Sequence, residues 1–389
     1  MQRKKGRVVV FVILGLAGLC LAAGFISFFI NRDLLGRTET ADRLSEIDLA
    51  HEAQATRLRL SLGSQVWPGW GEANIPSIYY NDAYAFLVGL NAPANGWSLP
   101  LSINRTVGVS WEEVTGQRMD YLRQPVKDGG RAIGAFVVRV GDTWVACLPT
   151  YAAFQSNFYQ GFQQQLPPVV SEIFPFKIAQ QLILGGSERY VTSMLHEMFH
   201  AFQANVALDR LVASEKVAQL EKDYPWDNAL SEQAWKDELA LLTGALKGGS
   251  VEETKSLAGQ FLAKRQARRM SVALPSEMVN YERQREWLEG LAKYAELSIG
   301  LAAARAPGDR YLVGGIQVDP DFKGYSGYEQ FYNMQMDQVG SLTNYKDENR
   351  FYYTGMAQAI LLDRLMPGWK QSAIKDAFLE DLLADAVKS

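Results

Sequence analysis

Apolar positions recur along this chain in distinct rhythms. Residues 8–30 form 23 consecutive uncharged positions rich in Val, Leu, Ile, Phe, Ala and Gly. A run of about 20 such residues is enough for a helix across the hydrocarbon core of a bilayer. Residues 38–60 interleave charged and apolar side chains at helical spacing, which predicts an amphipathic helix following that run. Residues 132–140 and 143–148 are β-rich and separated by Gly141-Asp142, a hairpin signal. From about residue 166 helical periodicity dominates. One helix opens at Ser187-Glu188 and runs past His200, and others are predicted over 229–247, 251–272, 276–303, 356–365 and 370–387.

These rhythms predict an α+β fold in four parts. Residues 1–32 form a cytoplasmic tip and transmembrane helix, and 33–60 a juxtamembrane helix. Residues 61–165 form a small mixed α/β region, and 166–389 a mostly helical region. Arg3, Lys4, Lys5 and Arg7 precede the first apolar run, which predicts a cytoplasmic N-terminus and an extracytoplasmic bulk. A cleaved signal peptide has a shorter apolar region of about 7–15 residues. Ala22-Ala23-Gly24 resembles a cleavage site, but the apolar run continues beyond it, so an uncleaved single-pass anchor is the expectation. Leu19 before Cys20 disfavours a lipoprotein site.

Composition narrows the partners. With 48% hydrophobic residues, 21% charged residues and a formal charge of −4, the chain reads as folded and not as a nucleic-acid binder. Cys20 and Cys147 are the only cysteines; Cys147 lies in a predicted strand and reads as a small core hydrophobe. Any metal site therefore falls to histidine and carboxylates. Trp67-Pro68-Gly69-Trp70 is a turn-rich aromatic cluster that predicts a loop packed on the core.

The strongest chemical signal is His196-Glu197-Met198-Phe199-His200, which takes two of the chain's three histidines. Four residues apart on a helix, both imidazoles project from one face and can share an ion. Glu197 beside them suits a general base that takes a proton from water activated by zinc. The third histidine, His51, carries no functional weight on the predicted amphipathic helix. Catalytic zinc needs a third protein ligand and an open position. With no histidine after His200, a carboxylate on a second helix must supply it.

Glu289-Gly290-Leu291-Ala292-Lys293-Tyr294-Ala295-Glu296 resembles the E-G-x-A-x-Y-x-E helix of many gluzincin metallopeptidases. By that resemblance Glu289 is the third zinc ligand, in a zincin-like catalytic region, and its glycine allows close helix approach. Glu282 and Glu286 lie near the same face, and Glu296 is placed to orient a ligand. The stretch from His200 to Glu289 is far longer than in the aminopeptidases of that group, and a G-x-M-E-N signature is absent. Over about half its length, on Leu195 to Gln203, Glu289 to Ala292 and more loosely the C-terminal segment, the chain resembles bacterial membrane-anchored proteins of the peptidase-MA-like gluzincin group.

The resemblance implies a membrane-anchored zinc peptidase acting on a peptide or protein substrate, with a tyrosine, histidine or arginine stabilising the oxyanion. Arg350-Phe351-Tyr352-Tyr353-Thr354-Gly355 offers such groups, and Tyr353 is the choice. An inactive zinc-binding scaffold and a hydrolase of a non-peptide amide are the alternatives.

Overall fold

A computed structural model of the protein describes residues 24, 25, 27, 41–91, 96–98, 105–106, 110–126 and 134–389. Helix α1 (Glu46–Val66) opens the continuous part, started by Ser45 and Asp48, whose side chains cap each other's backbone. Among the described residues eight strands follow: β1 (Ser77–Tyr80), β2 (Tyr84–Val88), β3 (Gly96–Ser98), β4 (Arg105–Thr106), β5 (Glu112–Val114), β6 (Tyr121–Pro125), β7 (Phe136–Val140) and β8 (Thr143–Pro149). They form one sheet in the order β4-β3-β7-β8-β1-β2-β6-β5. β7 and β8 are a hairpin turned at Gly141-Asp142, and β1 pairs parallel with β8 while its other neighbour, β2, is antiparallel.

Period-two alternation gives the sheet two apolar faces. Ile78, Leu87, Val145 and Cys147 share one cluster, whereas Tyr79, Phe86, Ala146 and Leu148 join the main helical core. Cys147 is buried and free.

Three helices, α2 (Tyr151–Gln165), α3 (Pro168–Ile173) and α4 (Phe176–Leu184), lead from the sheet to α5 (Ser187–Val206). Then come α6 (Leu208–Val217), α7 (Ala229–Lys247), α8 (Val251–Ser271) and α9 (Ser276–Arg285). A π-helical turn, Glu286–Gly290, joins α9 to α10 (Leu291–Ala304). The last helices are α11 (Tyr328–Gln338), α12 (Asn349–Leu365), α13 (Trp369–Lys375) and α14 (Leu379–Lys388). The main apolar cluster runs from Leu44 to Ala386 and includes residues of both sheet and helices. Trp67 and Trp70 are buried edge-on against Phe199 at 5.3 and 5.2 Å, behind the central helix α5.

The architecture corrects the expected fold class and membrane placement. The segment 8–30 lies outside the described residues apart from Gly24, Phe25 and Ser27. Among the described residues no helix is long and apolar enough to cross a membrane, so the expected α+β arrangement built on an N-terminal transmembrane helix, and the single-pass localisation with it, are not supported. The reason is visible in the longest helices: α1 and α8, 21 residues each, carry many charges.

Helix α1 is also not a surface amphipathic element. Several of its interleaved polar residues are buried and partnered: Glu52 accepts from the Tyr79 hydroxyl, and Arg59 donates to the Ala73 carbonyl at 2.5 Å. His51 is fully buried, 2.6 Å from Asp319. The helix expected over 356–365 begins at Asn349, and the one expected over 370–387 is broken into α13 and α14.

Candidate metal centre

Helix α5 is buried on most of its circumference, because Val191, Met194, Leu195, Met198, Phe199 and Phe202 all face the core. That burial fixes its rotation and places His196 and His200 together on the side facing the π turn. Their Nε2 atoms are 3.1 Å apart, and Glu289 Oε2 lies 3.4 Å from the first and 3.2 Å from the second. Ligand atoms of all three side chains fall within 4.8 Å of one another. Glu282 and Glu286, the nearby alternatives, point elsewhere: Glu282 pairs with Arg268 and Arg269, and Glu286 with Arg265.

The π turn is what aims Glu289. Its altered ladder leaves carbonyls displaced from α-helical partners, and the buried Gln203 amide donates to two of them, Trp287 O at 3.2 Å and Leu288 O at 3.3 Å. That orientation turns Gln203 Oε1 toward His200 Nδ1, at 2.8 Å. On the other side Glu296 Oε2 lies 3.2 Å from His196 Nδ1. Both Nδ1 atoms thus face acceptors and must donate. In the neutral imidazole that leaves each Nε2 a bare lone pair.

Two lone pairs and a carboxylate oxygen therefore converge on one point, an arrangement that repels itself unless a cation sits among them. Tetrahedral zinc with bonds of about 2.0–2.1 Å sets its ligand atoms about 3.3–3.4 Å apart, close to the three separations above. The donor set fits a zinc-class ion.

The same convergence governs the titration of the bare side chains. Burial pushes both imidazoles toward the neutral form, but Glu289 and Glu296 outweigh it and hold His196 up at about 10. His200 is raised for the same reason, chiefly by Glu289. Burial pushes Glu289 up, yet His200 and Arg285 bring it well below the usual carboxylate range. A proton thus takes the place that a metal would fill, and metal binding must displace it.

Glu197 lies on the half-buried stripe of α5. Burial raises its carboxyl above the ordinary value, against the pull of the two imidazoles. Its charge is felt by Tyr80 and Cys147, which puts it on the sheet side of the helix. Arg189, Ser193 and Glu197, spaced four apart, form a partly exposed line on a helix whose other residues from Tyr190 to Ala204 are buried. Arg189 and Ser193 of that line reach a cavity of about 430 Å³ that is also lined by Tyr151, Gln155, Phe331 and Gln335. Ser193 is one helical turn from Glu197, about 6 Å along the axis.

The two tyrosines at the start of α12 part company. Tyr352 stacks on His196 with ring centroids 5.9 Å apart and planes 12° apart, and its hydroxyl lies beside Glu289. Tyr353, the choice from sequence, sends its hydroxyl to Gln335 Oε1 at 3.0 Å, on the cavity wall. Gly290 does bring helices close, but its neighbour is Gly355 of α12 and not α5.

Arg285 and Gln203 are further residues of the site. The only sequence signal for either is position, four before Glu289 and three after His200. Comparison with known proteins gives no match to any family model, and no curated protein or solved structure matches the chain.

Proposed function

We propose that the protein is a zinc-dependent metallohydrolase, and specifically a peptidase of the gluzincin type. The single observation that supports this reading most is the convergence of His196 Nε2, His200 Nε2 and Glu289 Oε2, with both Nδ1 atoms committed to acceptors. His196, His200 and Glu289 would hold the ion. Zinc, when bound, supplies Lewis acidity and lowers the pKa of a water by many units.

The chain's own residues do the rest. Glu296 and Gln203 hold the two imidazoles in the tautomer that presents Nε2. Glu197, its carboxyl raised by burial, takes the proton of the attacking water and passes it to the leaving amine. A raised carboxyl suits that double duty, since a base and acid works best with a pKa nearer the working pH. Tyr352, beside Glu289, is the group best placed to donate to the oxyanion, with Tyr353 the alternative nearer the cavity. The cavity beside Arg189 and Ser193, one helical turn from Glu197, would seat the substrate chain.

The test is metal analysis of wild type, Glu197→Gln and Glu289→Ala after zinc reconstitution, with a peptide library as substrate. The expected result is near-stoichiometric zinc in wild type and Glu197→Gln, marked loss in Glu289→Ala, and cleavage by wild type alone. Wild-type protein that stays metal-free after reconstitution refutes the reading. Zinc uptake without peptide cleavage leaves the site and refutes the peptidase.

A further inference from the structure

Both carboxylates that meet the histidine pair divide their two oxygens between histidine and a cationic side chain. Glu296 gives Oε2 to His196 Nδ1 and Oε1 to Lys293 Nζ, at 3.2 and 2.9 Å. Glu289 turns Oε2 to the two histidines, while its Oε1 is held 2.7 Å from Arg285 Nη2. The side chain of Arg285 is only 4% exposed, and the same guanidinium reaches Glu348, with Nε 2.9 Å from Oε2 and Nη2 3.1 Å from Oε1.

We propose that Arg285 is a positioning residue of the metal centre: by holding Oε1 it makes Glu289 a ligand through one oxygen only. The inference rests on the metal-site reading given above. A free carboxylate has two equivalent oxygens and about four lone-pair positions, so beside a dication it swings readily to offer both. A buried, charge-assisted bond to one oxygen prevents that swing. By drawing electron density from the carboxylate, the same bond would make Glu289 a weaker donor and leave a bound ion more of its Lewis acidity.

The residue type matters. One guanidinium bridges Glu289 and Glu348 at once, its Nη2 donating to Oε1 of each, with Glu348 Oε2 also close to its Nε. A lysine offers the charge without the fork. The π turn sets the reach, because Arg285 directly precedes it and Glu289 lies within it, four positions on with three residues between them. An ion pair that merely held α9 in place would leave the metal's own coordination unchanged, and this is the distinction to test.

The experiment uses the full chain loaded with cobalt(II), whose visible absorption reports coordination number, in wild type, Arg285→Met, Arg285→Lys and Glu348→Gln. Metal affinity is read by chelator competition and folding by far-ultraviolet circular dichroism. Arg285→Met is expected to show a weaker, shifted cobalt band, as a fifth ligand atom enters, and an affinity changed by about 10- to 100-fold. Glu348→Gln is expected to keep the wild-type band shape, since Oε1 stays held. A folded Arg285→Met with wild-type spectrum and affinity overturns the proposal. If Arg285→Met does not fold, Arg285→Lys decides: a shifted band supports the role and a wild-type band overturns it. Wild-type chain that takes up no cobalt refutes the metal site itself, a result distinct from any variant's.

Discussion

Gly290→Ala separates two effects of opposite sign. Helix propensity alone makes alanine better than glycine by about 1 kcal/mol in a helix interior. The local packing says the reverse. A Cβ on Gly290 would sit 2.5 Å from Gly355 Cα and 3.0 Å from Met356 N, where ordinary contact begins at 3.4 Å. The obstacle is backbone, so no side chain can rotate away and the two segments must part by about 1 Å. Overpacking of this kind costs about 1–3 kcal/mol, and the upper end applies here. The net is a destabilisation of about 2 kcal/mol.

With an unfolding entropy of about 2.1 cal/mol/K per residue, a chain of 389 residues has about 0.8 kcal/mol/K in all. The expected fall in Tm is then about 2–3 °C. The displaced segment also carries Glu289, and a site of this kind tolerates about 0.5 Å. Zinc affinity should therefore fall together with Tm. Calorimetry on the metal-free chain and chelator competition on the loaded one give the two readouts. An increase in Tm with unchanged affinity would show that the helices are not in backbone contact at Gly290, and the account of how Glu289 is positioned would fail.

Three further outcomes follow from the same geometry. Gln203→Leu strands His200 Nδ1 and two carbonyls in the core; it should cost about 1–3 kcal/mol and weaken zinc by about 10- to 100-fold, both readable by the methods above. Tyr352→Phe should lower kcat by about 100-fold or more if its hydroxyl meets the oxyanion, with Tyr353→Phe closer to wild type; the opposite ranking in a peptide assay would return the role to Tyr353. Burial pushes the Glu282 carboxyl up, but Arg268 and Arg269 hold it far below the ordinary range. Its contribution is thus full above the unfolded value of about 4.3 and lost as pH falls below that toward the folded one. Thermal melts from pH 6 to pH 3 should show that acid slope reduced in Glu282→Gln, which also loses about 3–5 kcal/mol at neutral pH.

What the sequence reveals of this site depends on how local each relation is. His196, Glu197 and His200 stand within one helical turn, so their spacing alone states their geometry. Glu289 is 89 residues beyond His200, and only resemblance singles it out from Glu282, Glu286 and Glu296, which differ in the cations that claim them. Tyr352 and Tyr353 differ by one position, about 100° of helix, and without the phase of α12 nothing separates them. That helix starts at Asn349, ahead of the Tyr-Tyr-Thr-Gly run, whose glycine and aromatic residues argue for a later start, because the Gly290 contact makes Gly355 an asset inside a helix. The sheet is larger than its sequence suggests, since β1 and β2 are four- and five-residue strands without a tight hairpin signal. The interleaved charges of α1 mislead for a physical reason: periodicity records which residues are polar, not whether a partner such as Tyr79 or the Ala73 carbonyl meets them inside.

The π turn explains why so much buried charge stands behind so small a site. Arg265 grips Glu286 through both oxygens, at 2.6 and 2.9 Å, and the Thr354 hydroxyl adds a third bond at 2.6 Å. Arg265 also binds Glu238, which in turn holds Arg268, and Arg268 holds Glu282. Buried ion pairs of this sort seldom add net stability over well-packed apolar residues, so stability does not account for a chain of them. Their effect is directional. Glu286 begins the π turn and Glu289 lies three residues on, so fixing the first from behind fixes where the second projects. Gln203 does the same from the front, tying the turn's carbonyls to His200 itself. His196, His200 and Glu289 are thereby aimed at one point by groups on both sides of the turn, whether a proton or, on the proposed reading, a metal ion sits among them.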